Sequence, residues 1–189
     1  MSGTAIGMDL NLGYAGKVSR NPLNKINSRF VKSILNGSGV QTQPVVPFGS
    51  AVVVNADNSY SLWGASGVGV SSAVLANFGG IAVSEVKQSL TYGIGQNAGG
   101  SGQFEPLGPP CDALQVGSCT VAVTEGTPTA NGLVYIVTVA GTTSPVGSIV
   151  ATSTPAGGTA IQMTNARFTT GKVDGNGITE ITLLTQVAA

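Results

Sequence analysis

The 189-residue chain contains no histidine, which removes the commonest general base and metal ligand and, with it, every Ser-His-Asp or Cys-His arrangement. Eight carboxylates are spread thinly along it. Acid–base work of the glycosidase kind needs two of them facing one another, and Glu105 with Asp112, or Asp174 with Glu180, are the pairs that could meet. Surface turns account for them better, since acids are mostly exposed. Cys111 and Cys119 are the only cysteines, with seven residues between them. That spacing fits neither a CxxC redox site nor a zinc knuckle. They read as two small, partly buried thiols, with a disulfide as the alternative. Asp174-Gly175-Asn176-Gly177 lacks the alternating oxygen ligands and the closing glutamate of a calcium loop, and reads as a turn. Gly64, Gly67 and Gly69 lack the lysine, and the place between a strand and a helix, that a phosphate loop requires. The expectation is a non-enzyme with no catalytic residue, cofactor or metal.

The remaining composition points to contact rather than turnover. Charged residues make up 8% of the chain and the formal net charge is zero, where an ordinary soluble domain has about 25% charged residues. A surface with so little electrostatic repulsion suits a protein whose faces are covered by partners. Val, Ile and Thr number 23, 10 and 19 against 12 Leu, and side chains stiff at χ1 pack better on pleated sheets than on helices. The expected fold class is all-β, a small sandwich or barrel. No apolar run is long enough for a membrane helix. Residues 1–16, MSGTAIGMDLNLGYAG, do not have the layout of a secretory signal, so the chain is expected to stay in the cytoplasm where it is made.

Strand-like runs occupy 45–55, 59–63, 78–87, 113–124, 133–140, 159–168 and 178–187, separated by turn residues such as Asn55, Asp57, Asn58 and Asp174 to Gly177. The run Leu133 to Val139 is apolar on both faces, which predicts a central strand. Residues 64–77 and 93–102 are rich in Gly, Ser, Ala and Asn and read as loops.

Residues 1–43 read as an N-terminal arm on a body of 44–189. The arm carries Lys17, Arg20, Lys25, Arg29 and Lys32 against one acid, Asp9, a balance of +4 that the rest of the chain offsets. These five bases are the candidate partner-contact residues, because a basic arm is drawn to an acidic neighbour. With Tyr14 and Phe30 as the only aromatics beside them and a pI near 6.1, nucleic acid is not the expected partner. Asn21-Pro22 followed by Leu23, Ile26, Phe30, Ile34 and Leu35 has the spacing of a short amphipathic helix ending at Gly37. The same residues could lie extended on a neighbour, so the arm is expected to be extended or partly helical.

The order of segments resembles the structural cement, or capsid decoration, proteins of tailed bacteriophages across nearly the whole chain. The resemblance rests on the arm GYAGKVSR (13–20), the proline-aromatic-glycine turn in VVPFGSAVVV (45–54), FGGIAVSEVK (78–87), LGPPCDALQVGSCTVAVTEG (107–126), LVYIVTVAG (133–141) and NARFTTGKVDGNGITEITLL (165–184). The long arm and the Pro109-Pro110-Cys111 insertion depart from that pattern. The resemblance implies a virion protein on the outer capsid surface that binds the major capsid protein, often as a homotrimer, and it implies no catalytic residue. A tail or fibre component and a carbohydrate-binding β-sandwich are the alternatives. Phe48, Trp63, Phe78 and Tyr135 are the aromatics to inspect, with core packing their expected task.

Overall fold

A computed structural model of the protein describes residues 12–19, 23–33, 45–84, 102–106 and 108–185. The strands are β1 (Lys25–Arg29), β2 (Val46–Pro47), β3 (Ala51–Val54), β4 (Tyr60–Leu62), β5 (Phe78–Ala82), β6 (Gln103–Phe104), β7 (Cys111–Ala122), β8 (Leu133–Val139), β9 (Ile149–Val150), β10 (Thr159–Phe168) and β11 (Ile178–Leu183). A 3-10 turn at Leu75–Asn77 precedes β5, and β2 and β6 form a small separate ribbon. The all-β expectation holds.

The main sheet runs β4-β3-β5-β7-β11-β10-β8-β9, with β1 also paired to β7. It curls strongly. At its far end β9 returns to the extension of β7, where Val123 bridges Ile149 and Ala151 N donates to Glu125 O at 2.9 Å. Curling of this kind covers an edge that would otherwise expose unpaired N–H and C=O groups.

The centre of the sheet is β7, not Leu133–Val139 as the apolar run predicts. β8 lies next to the end of the strand order, and its termini Leu133 and Val139 are 40% and 55% exposed. β7 escapes notice as the central strand because polar residues interrupt it, yet most of these are buried with partners. Ser28 Oγ donates to Asp112 Oδ1 at 2.5 Å, Ser118 and Thr182 hydroxyls meet at 2.8 Å, and Thr120 Oγ1 donates to Tyr14 O at 2.6 Å. A satisfied buried polar group costs little, whereas an unsatisfied one is expensive.

β7 also joins two apolar clusters. Cys111 and Ala113 belong to the cluster with Val46, Val52 and Tyr60, while Leu114, Cys119 and Val121 belong to the one with Trp63, Ile136 and Phe168. Within the larger cluster the core-facing residue changes from even to odd between Leu114 and Cys119. Side chains alternate strictly along a regular strand, so one residue must be absorbed in between. Gly117, with φ of 120°, sits in this stretch, and the β1 register skips Gln115 two residues before it.

Cys111 and Cys119 are free and buried. Eight residues along one strand separate their Cα atoms by roughly 26 Å, whereas a disulfide needs less than about 7 Å. Burial pushes both thiols well above the ordinary range, so neither is a nucleophile near neutral pH.

The remaining strand expectations are close. The run 45–55 is broken by the turn Phe48–Gly49 into β2 and β3. The run 78–87 forms β5 and an isolated bridge at Ser84, and its end, with Lys87, lies outside the described residues. Of the loop expected at 93–102, only Gly102 is described.

Candidate functional site

The arm has no helix in its described part. Lys25–Arg29 is extended and pairs antiparallel with β7, from Lys25 opposite Val116 to Arg29 opposite Cys111. An open edge on β7 supplies the backbone partners that an isolated helix this short would lack. Asn21, Pro22, Ile34, Leu35 and Gly37, which complete the helical pattern, lie outside the described residues.

Residues 12–19 and 23–33 therefore form a strap across the sheet. Val18 bridges Cys119 and Lys17 bridges Ser84. Gly16 N donates to Thr120 O at 2.7 Å, Ser19 N to Ser118 O at 2.8 Å, and Thr120 N to Lys17 O at 2.9 Å. Beyond β1, Val31 bridges Tyr60, Tyr60 N donates to Phe30 O and Lys32 N to Tyr60 O. Val18 and Ile26 pack against the larger core cluster and Val31 is buried in the smaller one.

Two short motifs singled out in the sequence meet under this strap. Gly16, from the arm, passes so close to the Phe48–Gly49 turn that a Cβ on it would lie 2.6 Å from Phe48 Cβ, and one on Gly49 would lie 2.6 Å from Ala15 Cβ. Both have φ near 80°. Only glycine combines that backbone conformation with such an approach.

The five candidate bases do not share one role. Lys32 forms an ion pair with Asp57, whose carboxyl it holds down at about 2. The Arg29 guanidinium lies 5.2 Å from the centre of the Tyr60 ring. Burial pushes the Tyr60 phenol up to about 12, against the opposing pull of Arg29. Lys17 and Lys25 are exposed. They straddle β7, because Lys17 lies on the β5 edge through Ser84 and Lys25 on the opposite edge through β1. Arg20 lies outside the described residues.

Acids of the body are largely engaged within the chain. Glu125 accepts from Thr143 Oγ1, Ser144 Oγ and Ala156 N, and these bonds lower its pKa. Asp174 accepts from the backbone N–H groups of Ile178, Leu12 and Asn176, with the same effect. Of the acids paired from sequence, Asp174 serves a turn, Glu105 accepts from Gln103 Nε2 at 3.4 Å and Asp112 accepts from Ser28 Oγ. Among the described residues no group of three or more metal-ligating side chains occurs. No helix among them is long and apolar enough to cross a membrane.

Of the four aromatics chosen from sequence, Trp63 and Phe78 are core residues packed edge to face, and Phe48 packs edge to face on Phe104 with centroids 5.0 Å apart. The exposed apolar residues of the strap are others: Leu23 at 74%, Phe30 at 65% and Tyr14 at 46%. Their signal is present in the sequence, as apolar residues set among the arm's bases, and of the two readings open for them, helical or extended on a neighbour, the described part of the arm takes the extended one.

Comparison with known proteins agrees with this picture. No curated protein sequence matches the chain. A solved chain from the capsid of Myoviridae phage XM1 matches it with a TM-score of 0.60 over 99% of both chains at 16% identity, which is a likeness of fold. The family model for the XM1 gp53 minor capsid protein matches residues 3–183. The chain therefore belongs to the XM1 gp53 minor capsid protein family, and it is a phage capsid-associated structural protein.

Proposed function

We propose that the protein is a capsid cement, or decoration, protein that binds the outside of the assembled shell, contacts the major capsid protein and stabilises it as a homotrimer. The observation that carries this reading is the strap. Its backbone is locked into the sheet while Tyr14, Leu23 and Phe30 stand exposed beside the cations Lys17 and Lys25. Apolar anchors held on a rigid element lose little conformational entropy on docking. Exposed cations of one sign steer the encounter with an acidic surface. Arg20 belongs to the same contact set by sequence; Arg29 and Lys32 contribute through their internal partners to holding the strap. Many copies on one shell add avidity, so each contact can be modest. Burial of area, without chemistry, is then the whole mechanism.

Reversing two charges tests the contact surface. Lys17→Glu with Lys25→Glu is expected to weaken association with capsids by about tenfold or more at low salt, and the deficit should narrow as salt screens exposed charges. The melting temperature should stay close to that of the unaltered protein, because both side chains are exposed. An unchanged affinity, or a loss of the same size at every salt concentration, contradicts the assignment.

A further inference from the structure

A backbone nitrogen that follows asparagine can attack its side-chain amide, and a glycine in that position leaves the nitrogen unshielded by a Cβ. Asn-Gly pairs stand at 36–37, 131–132 and 176–177, and the first lies outside the described residues. Asn131 and Asn176 are both exposed, each in a tight turn. In the first turn Gly132 N donates to Thr129 O at 2.8 Å, Asn131 N to Phe168 O at 2.8 Å and Phe168 N to Gly132 O at 3.1 Å. In the second, Gly177 N donates to Asp174 O at 3.1 Å and Val123 N to Gly177 O at 2.9 Å. Asn176 N and Ile178 N both reach Asp174 Oδ1 at 2.9 Å.

Hydrogen bonding is comparable in the two turns, and packing separates them. The 129–132 turn is pressed under a neighbour: a Cβ on Gly171 would lie 2.3 Å from Ala130 N, and one on Gly132 would lie 2.5 Å from Thr129 Oγ1. Asn131 also holds a left-handed φ of 59°. The rotation that swings Gly132 N onto Asn131 Cγ therefore has to displace close-packed backbone. Around 174–177 the space is open. A Cβ on Gly175 would meet nothing within 4 Å, and one on Gly177 only Val123 O at 3.6 Å.

We propose that Asn176 is a deamidation site of the folded protein, while packing protects Asn131. Gly177 N attacks Asn176 Cγ and loses its proton, the new C–N bond closes a succinimide, and the Cγ–Nδ2 bond breaks to release ammonia. Water then opens the ring at either carbonyl. One opening leaves aspartate on an unchanged backbone; the other leaves isoaspartate, whose main chain runs through Cβ and Cγ and is one carbon longer. Water is the sole co-reactant, and no electrons change hands. Both products set a new carboxylate two residues from Asp174. The isoaspartate also lengthens the path between Asn176 N and Ile178 N, which a single oxygen now holds together. Ile178 opens β11 opposite Ala122, so the inserted carbon loosens the first pair of that ladder. The inference stands on the two turns and does not depend on the capsid assignment.

Peptide mapping by mass spectrometry tests this on the full chain aged in mildly alkaline buffer, with a second sample aged in strong urea. In the folded chain the mass gain of deamidation at Asn176 is expected to build up about tenfold faster than at Asn131, the gap between a turn that opens alone and one that must move a packed neighbour. In urea the two sites should react at similar rates, since both are followed by glycine. Hydrogen exchange of the aged protein should be faster at the start of β11 in the isoaspartate fraction, and unchanged there in Asn176→Asp, which adds the charge without the extra carbon. Equal rates in the folded chain, faster reaction at Asn131, or no gain at Asn176 while the urea sample reacts overturns the proposal. A tenfold gap that persists in urea also overturns it, because sequence and not folding would then set the rates.

Discussion

Replacing Trp63 with alanine is expected to destabilise the protein by about 3–5 kcal/mol, the usual range for removing a large buried aromatic. The indole is 1% exposed and its ring lies 6.3 Å from Phe78 at an interplanar angle of 66°. It anchors the end of β4, where Trp63 N donates to Ala51 O at 3.0 Å. The backbone of Trp63 also meets the turn before β9, since a Cβ on Gly147 would lie 2.9 Å from Trp63 O. Deleting the ring leaves a void in the larger apolar cluster, which Trp63 shares with Phe78, Ile136 and Ile149, and close packing around it limits collapse. Trp63→Phe should cost much less. The indole Nε1 is buried with no acceptor among the described residues, and removing an unsatisfied donor recovers about 1–3 kcal/mol that offsets part of the lost volume. Urea unfolding followed by circular dichroism measures both, because Trp63 is the only tryptophan and its fluorescence disappears with it. A cost below about 1 kcal/mol for Trp63→Ala would show that the site collapses freely.

Deleting residues 1–33 should have a larger effect still: loss of the cooperative fold, or of most of its stability, rather than release of a disposable tail. The strap supplies β1, the partner of Tyr60 on β4, and the backbone acceptor for Ser84 N at Gly16 O. It buries Val31 and covers the larger cluster with Val18 and Ile26. Its loss uncovers apolar side chains worth about 1.5–3 kcal/mol each when fully buried and leaves an open edge on β7. Against a net stability of about 5–15 kcal/mol for an ordinary domain, that is decisive. Thermal unfolding of the truncated chain checks it. A melting temperature within a few degrees of the full chain's would mean that the body stands alone, and only then would truncation be a clean test of what the arm binds.

Much of the fold was legible because strands with turn residues between them repeat along the chain, and β3, β4, β8, β10 and β11 fall within the expected runs. The errors share one physical cause, which is that pairing partners distant in sequence decide local structure. Leu23, Ile26 and Phe30 have helical spacing, yet β7 offers Lys25–Arg29 an edge, which selects the extended form of the arm over the helical one, and of the three only Ile26 packs against the core. Asp112, Ser118 and Thr120 deny β7 the unbroken apolar run by which a central strand is read, and the groups that satisfy them come from Ser28, Thr182 and Tyr14. β6 and β9 are two residues long and exist through pairing with distant partners, Val46–Pro47 for β6, and Tyr135–Ile136 and Val123 for β9. The missing histidine was legible at once, and with it the loss of the commonest general base. The division of labour among the bases was not, because Asp57 and Tyr60 are brought to Lys32 and Arg29 by β4 and the turn before it.

Association with the shell is the most direct test of the cement assignment. Purified protein is added to capsids that lack it, the particles are sedimented, and bound copies and heat resistance are measured together. Saturable binding at a fixed ratio to the major capsid protein, in hundreds of copies for a full-sized shell, with heads that survive a higher temperature, is the expected result. Protein left in the supernatant, with heads no more resistant than before, would contradict it.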